Sequence, residues 1–198
     1  MTVAVQGSLF DHCERRDLGS GAWIEARSGW LDDAGSLFDE VAAAVAWRSE
    51  RRLMYERVLD VPRLVSFCDL TLGPPPHPAV VDLQHRLNDI YAGELGEPFT
   101  TAGFCLYRDG NDSVAWHGDT IGRGRSQNTM VAVVSLGATR TFAMRPRSGG
   151  ASLRLPQAHG DLLVMGGSCQ RTWEHAVPKT STPTGPRISV QFRPRGVR

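Results

Sequence analysis

Short β-rich segments follow one another along the second half of the chain. From Phe99 onward, runs of β-branched and aromatic residues alternate with clusters of Gly, Asn, Asp and Pro, as is typical of strands joined by tight turns. Many short strands in so few residues predict a sandwich, a jelly roll or a barrel, and periodicity favours none of the three. The predicted strands are 101–107, 114–117, 130–136, 139–144, 151–155, 162–165, 173–177 and 187–193.

Two helices are predicted in the first half of the chain. Asp32 or Asp33 is placed to cap the first helix, which carries apolar residues at spacings of about four. The second is expected to begin at Pro78 and to run to about Leu95, with a short strand at 63–68 between the two. The apolar residues are Leu37, Val41, Val45 and Trp47 in the first helix, and Val80, Leu83, Leu87, Ile90 and Tyr91 in the second. The expected fold is mainly β, with these helices packed on one outer face.

Charge and composition restrict the possible partners. The 22 basic and 21 acidic side chains give a net charge of +1, which excludes a polybasic tail that holds nucleic acid through charge but permits a local basic patch. Lys179 is the only lysine, so such a patch would consist of arginine, which binds carboxylate and phosphate in a bidentate way. No apolar run reaches the roughly 18 residues of a membrane span, and neither a secretory signal nor a disulfide pattern is visible. A cytoplasmic, single-domain monomer is expected.

One His-x-Asp pair lies at the end of a predicted strand. His117 and Asp119 are two residues apart, so their side chains point to the same side of the strand. Such a pair is common by chance, and a surface pair is its ordinary interpretation. His175 lies on a later predicted strand beside Trp173, where it either packs or completes a metal site. Two histidines and one carboxylate form the facial triad that binds Fe(II).

The last predicted strand alternates strictly between polar and apolar residues. Arg187, Ser189, Gln191 and Arg193 share one face, and the apolar side chains between them share the other. Two arginines on a half-buried strand are costly to desolvate without anionic partners. A small dicarboxylate would meet that requirement by pairing with a guanidinium at one end and with a metal at the other. The alternative is a solvent-facing strand with surface arginines.

About half of the chain, from Phe104 to Arg193, resembles the AlkB family of Fe(II)- and 2-oxoglutarate-dependent dioxygenases. The resemblance rests on motifs in matching order and spacing, which are YRDG at 107–110, DSVAWHGD at 112–119, SLGATRTFAMR at 135–145, HGDLLVMG at 159–166, WEHAVPK at 173–179 and R-x-S-x-Q-x-R at 187–193. It implies a double-stranded β-helix, or jelly roll, that holds iron at one mouth. It also implies a single dioxygenase domain over 1–198, with a helical segment and nucleotide lid at 1–98 and a catalytic core at 99–198.

The resemblance also implies roles for individual residues. His117, Asp119 and His175 match the iron ligands and therefore the catalytic centre. Arg187 matches the arginine that pairs with the distal carboxylate of 2-oxoglutarate. Tyr107 matches the tyrosine that forms a hydrogen bond with 2-oxoglutarate.

Further cosubstrate positions follow on the same strands. Arg193 matches a second arginine near the metal-binding end of 2-oxoglutarate. The cosubstrate-binding positions at Ser189 and Gln191 depart from the family's asparagine and threonine, and Cys105 replaces another asparagine. Serine and glutamine still donate hydrogen bonds. Cys105 is either a small buried apolar residue or a thiol exposed to oxidation near the iron.

The substrate side shows a further departure. Repair relatives often carry acidic residues just after the metal motif, whereas this chain has Arg123 and Arg125, which either contact a phosphate backbone or lie in a solvated loop. A short Val-Pro-Arg motif, which ends at Arg63, resembles the segment before the family's nucleotide lid, and Phe67 lies four residues after it. Arg63 and Phe67 are candidates for phosphate contact or base stacking, although core packing is the favoured interpretation of Phe67.

The implied activity is oxidative removal of N-alkyl groups, of the 1-methyladenine and 3-methylcytosine type, from DNA bases. Formaldehyde, succinate and carbon dioxide are the other products, and the damaged base would be flipped out of its stack. Three alternatives stay open at this point. They are an RNA or tRNA demethylase or hydroxylase of the same class, a non-catalytic module that binds damaged nucleic acid, and a zinc hydrolase with the same metal ligands.

Overall fold

Strands dominate the protein, whose computed structural model describes residues 13–31, 34–54 and 57–197. These residues form twelve strands and three helices. The strands are β1 Cys13–Gly19, β2 Ala22–Arg27, β3 Arg48–Met54, β4 Arg57–Asp69, β5 Phe99–Tyr107, β6 Val114–His117, β7 Val131–Gly137, β8 Arg140–Pro146, β9 Leu153–Gln157, β10 Leu162–Gly167, β11 Trp173–Val177 and β12 Arg187–Pro194. The helices are α1 Leu37–Ala44, α2 Ala79–Leu95 and the single turn α3 Cys169–Thr172.

The strands form two antiparallel sheets. The major sheet has the order β1-β2-β10-β7-β12-β5-β4-β3, and the minor sheet has the order β6-β11-β8-β9. All eight strands predicted after Phe99 are present, with ends displaced by at most two residues. The two sheets form the double-stranded β-helix, so the predicted jelly roll with flanking helices is confirmed.

The core has two layers because the major sheet buries both of its faces. Along β7, Ala132 and Val134 face the layer that contains α1 and α2. Val131 and Val133 face the layer between the two sheets. The site described below lies in that second layer, at one end of the strands.

Both predicted helices are present, with local differences. In α2 the apolar stripe is buried as predicted except at Ile90, which is exposed because Tyr91 occupies the inward position. Helix α1 ends before Val45, which is still buried although it lies beyond the last turn. The predicted caps Asp32 and Asp33 lie outside the described residues. No helix in the described part of the chain is long and apolar enough to cross a membrane.

Two hairpins extend the major sheet at its edges, and only the second half of β4 was predicted from the amino-acid pattern. The β1–β2 hairpin joins the sheet through β10, and the β3–β4 hairpin joins it through β5. The predicted strand at 63–68 is the second half of β4, whose register with β5 runs from Leu64 to Asp69. Strand β1 escaped prediction because it is charged and almost entirely exposed, which obscures any alternation between apolar and polar residues.

A buried carboxylate links the first hairpin to α2. Burial raises the pKa of Glu25, but hydrogen bonds from Tyr91, Arg27 and Arg15 outweigh burial and lower that pKa from 4.5 to about 2. A group whose pKa is lowered by folding stabilises the folded state above its unfolded pKa, and this stability is lost as pH falls.

Replacing Glu25 with glutamine should lower the free energy of unfolding by roughly 2–3 kcal/mol at pH 7. The difference between wild type and E25Q should decrease as pH falls below about 4.5 and vanish below about pH 2, where the side chain of Glu25 is neutral in the folded protein as well. Urea denaturation at several pH values measures it. The matched control E94Q removes an exposed partner of Arg15 and should change stability by less than about 1 kcal/mol. A pH-independent difference would contradict this account.

Candidate metal-binding site

Three potential metal ligands converge where β6 meets β11. These strands pair antiparallel, with His175 directly opposite His117, and Asp119 follows two residues after His117. One ligand atom from each of the three residues lies within 4.8 Å of the others. The structure thus brings together the predicted triad. Asp119 and His175 are buried, so His117 and Asp119 do not form an ordinary surface pair. His175 lies beside the other two potential ligands and does not pack against apolar side chains alone.

The hydrogen bond of His117 and the pKa shifts of His175 and Asp119 suit a divalent metal. The Nδ1 atom of His117 lies 2.8 Å from the Ala115 carbonyl oxygen, which leaves Nε2 available as a ligand. Burial, reinforced by His117, lowers the pKa of His175 to about 3, so its imidazole is neutral near pH 7. Burial raises the pKa of Asp119, but Arg193 and the two imidazoles outweigh burial and keep that pKa below its usual range. Two imidazole nitrogens and one carboxylate form a donor set for Fe(II).

Asp119 is held from two sides. Arg193 Nε donates to Asp119 Oδ2 at 2.9 Å, and the backbone N–H of Asp119 donates to Gln170 Oε1, also at 2.9 Å. Gly118 allows this approach, because a Cβ atom there would lie 2.5 Å from the Gln170 carbonyl oxygen. No sequence signal pointed to Gln170. Gln170 can accept this hydrogen bond because α3, which carries it, packs beside Gly118 and Asp119.

Beside the triad, a narrow cavity extends to Arg187. This guanidinium is fully buried, with 1% of the residue exposed. Its Nη2 donates to Ser135 Oγ at 2.8 Å, while Nε and Nη1 have no hydrogen-bond partner among the described residues. The Tyr107 ring lies 5.4 Å from the guanidinium carbon. A buried cation with two unused donors requires an anion, so the residues present fit the distal carboxylate of a dicarboxylate such as 2-oxoglutarate.

The polar face of β12 lines this cavity as predicted. All four of its polar side chains lie there, so the alternative of a solvent-facing strand with surface arginines is wrong. Gln191 Nε2 donates to Ser189 Oγ, and Cys105 Sγ lies 3.9 Å from Gln191 Oε1. The three residues that depart from the family pattern therefore contact one another as a group. Gly103 leaves room beside them, because a Cβ atom there would lie 2.9 Å from Arg193 Nη1.

Comparison with known proteins supports the same assignment. Residues 36–193 match the family model described as the 2OG-Fe(II) oxygenase superfamily. The chain belongs to this superfamily. Alpha-ketoglutarate-dependent dioxygenase alkB homolog 3 of Homo sapiens is 30% identical over 197 residues, which cover 85% of this chain and 66% of that protein. The Bos taurus homolog 3 is 31% identical over 84% of this chain and 65% of its own length.

Other members of this oxygenase superfamily are also similar. DNA oxidative demethylase ALKBH2 of Homo sapiens is 33% identical over 65% of this chain and 51% of its own length. The solved structure of OsALKBH1 has a TM-score of 0.60 over 92% of this chain and 100% of that chain at 16% identity, which shows a shared fold. The predicted AlkB resemblance is confirmed. The chain spans slightly less than two thirds of the length of the homolog 3 proteins.

The structure places the four predicted substrate residues of this superfamily member in different surroundings. Arg63 lines the same cavity as Tyr107 and donates to the Ser113 carbonyl oxygen at 3.3 Å. Phe67 lies opposite Gly103 on the neighbouring strand, and 50% of it is exposed. Core packing was therefore the wrong interpretation of Phe67. Phe67 therefore presents half of its surface to solvent, on the face of β4 that it shares with Arg63.

The two arginines after the metal motif also differ from each other. Arg123 donates to Glu97 at 2.6 Å and to the Arg195 carbonyl oxygen at 3.3 Å, and its side chain is largely buried. It therefore holds the loop against the C-terminal segment. Arg125 is exposed. The alternative of a solvated loop therefore describes the side chain of Arg125, whereas the side chain of Arg123 is packed against the protein.

Replacing Gln170 with leucine should lower the affinity for a divalent metal by about 10- to 100-fold, as is usual when a residue that orients a ligand is removed. The substitution removes the acceptor for the Asp119 N–H but keeps the buried volume similar. Titration with Mn(II), followed by the EPR signal of unbound metal, measures the affinity without turnover. Q127L alters a loop glutamine that contacts Gly124 instead and serves as the control. Equal affinities in wild type and Q170L would show that Gln170 only packs.

Proposed function

We propose that this chain is a dioxygenase dependent on Fe(II) and 2-oxoglutarate that removes N-linked methyl groups from nucleic-acid bases, with DNA as the preferred substrate. One observation carries the proposal. The three clustered ligand atoms of His117, Asp119 and His175 share a cavity with the buried guanidinium of Arg187. Two nitrogens of that guanidinium have no hydrogen-bond partner among the described residues. That combination serves a metal and a dicarboxylate at once, and a zinc hydrolase would have no use for the buried arginine.

Each cosubstrate residue has a role that follows from its contacts. Arg187 binds the distal carboxylate of 2-oxoglutarate, and burial raises the pKa of Tyr107, so that its protonated hydroxyl donates a hydrogen bond. Ser189 and Gln191 line the middle of the cavity. Arg193 holds Asp119 in place and faces the metal-binding end of the cosubstrate. Bound Fe(II), with 2-oxoglutarate and dioxygen, supplies the oxidising power that hydroxylates an N-methyl carbon, after which formaldehyde is released.

The substrate side is proposed from exposure and charge. Phe67 stacks on the flipped base, because it is an exposed aromatic ring on the same face as the site. Arg63 supports the cavity wall from the same strand. Arg125 contacts the phosphate backbone, and Arg123 shapes the loop that presents it. In this proposal residues 99–198 form the catalytic core, and the β3–β4 hairpin supplies the nucleotide side. The name of the human relative ALKBH2, a DNA oxidative demethylase, favours DNA.

Mass spectrometry of short oligonucleotides tests the proposal. DNA and RNA strands that carry 1-methyladenine or 3-methylcytosine are incubated with protein, Fe(II), ascorbate and 2-oxoglutarate, and succinate is measured in parallel. We expect a mass loss of about 14 Da, a methyl group replaced by hydrogen, from the DNA strand. Reactions without 2-oxoglutarate serve as the control.

The other outcomes identify the rival functions. Mass loss from RNA only would reassign the substrate to RNA, and the basic loop after the metal motif makes this the main rival. Succinate without demethylation would keep the oxygenase and reject the methylated base. Metal binding with neither product would indicate a non-catalytic module that recognises damaged nucleic acid.

A further inference from the structure

A second and larger cavity, of about 520 Å³, shares Asp119 with the metal-binding site. Its volume lies in the range of pockets that hold small ligands. Four of its lining residues are arginines, namely Arg123, Arg125, Arg147 and Arg171. Among the described residues that line the cavity, Asp119 is the only one with a carboxylate, and Arg193 already pairs with it. The cavity therefore has a strongly cationic wall.

Most of that positive charge is not balanced. Among the described residues, neither Arg125 nor Arg171 forms an ion pair; Arg171 donates instead to the neutral oxygens of Gln127 and Asn128. Arg147 shares the single carboxylate of Glu174 with Arg145. Arg123 is the exception, since Glu97 neutralises it. A wall with excess guanidinium groups attracts an anion that has several oxygen atoms.

Buried polar atoms without partners lead to the same conclusion. Thr129 lines the cavity with only 3% of its surface exposed, and its hydroxyl has no hydrogen-bond partner in the described part of the chain. The Nε atom of Arg123 is buried and equally without a partner. Because leaving a buried donor unsatisfied is costly, the cavity is suited to a ligand that accepts hydrogen bonds.

We propose that this cavity binds a phosphodiester group of the nucleic-acid strand, next to the nucleotide whose base reaches the metal. The inference rests on the proposed function and adds a binding site to it. A phosphodiester fits better than a second dicarboxylate, because its tetrahedral oxygens can be reached by guanidinium groups from three separate segments, around Arg125, Arg147 and Arg171. Nearness to Asp119 places the phosphate beside the reacting centre, where it fixes the strand without reading its sequence.

Equilibrium binding of unmodified strands tests this site without catalysis. Fluorescence anisotropy of a labelled single-stranded oligonucleotide, in the presence of Mn(II) and 2-oxoglutarate, gives the dissociation constant at several salt concentrations. R171Q and R147Q should each weaken binding roughly tenfold and reduce the salt slope by about 0.7. R154Q alters an exposed arginine on β9, away from the cavity lining, and should leave both quantities unchanged. Wild-type affinity and slope in R171Q and R147Q would overturn the proposal.

A substitution that preserves shape separates binding from folding. T129V removes the partnerless hydroxyl while keeping its volume, so the thermal midpoint should stay equal to that of wild type or rise. Binding of the oligonucleotide should still weaken several-fold, because one hydrogen bond to the phosphate is lost. An unchanged affinity in T129V would mean that no ligand uses the hydroxyl, which contradicts the proposal.

Two comparisons identify the source of the anion and keep the two proposals apart. If R171Q weakened the binding of inorganic phosphate or succinate but not that of the oligonucleotide, the cavity would serve a free anion and the proposal would be wrong. If methylated bases are repaired while the arginine variants bind normally, the phosphate site fails and the proposed function stands. If the variants lose strand affinity although no methyl group is removed, the site stands and the proposed function fails.

Discussion

Replacing Asp119 with alanine should abolish turnover that depends on metal and 2-oxoglutarate. Asp119 is the only carboxylate of the triad, and its lowered pKa keeps it ionised at neutral pH. Without it, only two imidazoles remain to hold a dication, and the metal affinity should fall by at least about a hundredfold, since even indirect partners of a ligand contribute 10- to 100-fold. Succinate production and an Mn(II) titration measure the two effects separately.

A second variant at the same position distinguishes the loss of metal binding from misfolding. Alanine leaves Arg193 without its carboxylate partner inside a mostly buried site, which reduces stability. D119N keeps an acceptor for Arg193 but removes the negative charge, so we expect a folded protein with weak metal binding. The exposed helical residue Asp89 provides the control D89A, which should behave as wild type. Normal turnover in D119N and D119A would disprove the metal assignment.

Replacing Arg187 with methionine should raise the 2-oxoglutarate concentration needed for half-maximal turnover by roughly a hundredfold, because a buried charged hydrogen bond is lost. A second effect is independent of catalysis. In wild type, 2-oxoglutarate at a hundred times its dissociation constant should stabilise the fold by about 2.7 kcal/mol. In R187M the same concentration only equals the weakened dissociation constant, so the stabilisation should fall to about 0.4 kcal/mol. Differential scanning fluorimetry with and without the cosubstrate measures this response.

Stability without cosubstrate gives a contrasting prediction. R187M should be at least as stable as wild type, because the substitution removes a buried cation with two unused donors. Arg140 is also buried, but it donates to the carbonyl oxygens of Asp109, Asp112 and Pro178. R140M should therefore destabilise the protein by a few kcal/mol, since it leaves these acceptors unsatisfied. An unchanged 2-oxoglutarate response in R187M would mean that the cosubstrate binds elsewhere.

Features that depend on residues close together in the chain could be predicted from the amino-acid pattern. Alternation with a period of two places the polar residues of β12 on one face, and the same period directs His117 and Asp119 to one side. Gly, Pro and Asn clusters mark where strands end, so the eight later strands were located to within two residues. The AlkB motifs then identified the distant His175 as the third ligand, which the local pattern around Trp173 left open.

Contacts between segments that are distant in the chain became visible only in the folded protein. Gln170 accepts a hydrogen bond from the Asp119 N–H because α3 packs beside Asp119. Arg123 forms an ion pair with Glu97, which lies 26 residues earlier. Phe67 lies half exposed on the face of β4 that also carries Arg63, although it pairs in register with Gly103 of β5. The cationic cavity assembles from three separate segments of the chain. Local patterns fix the face on which a side chain lies, whereas its partners depend on strand order and loop packing, and these carry no local signal.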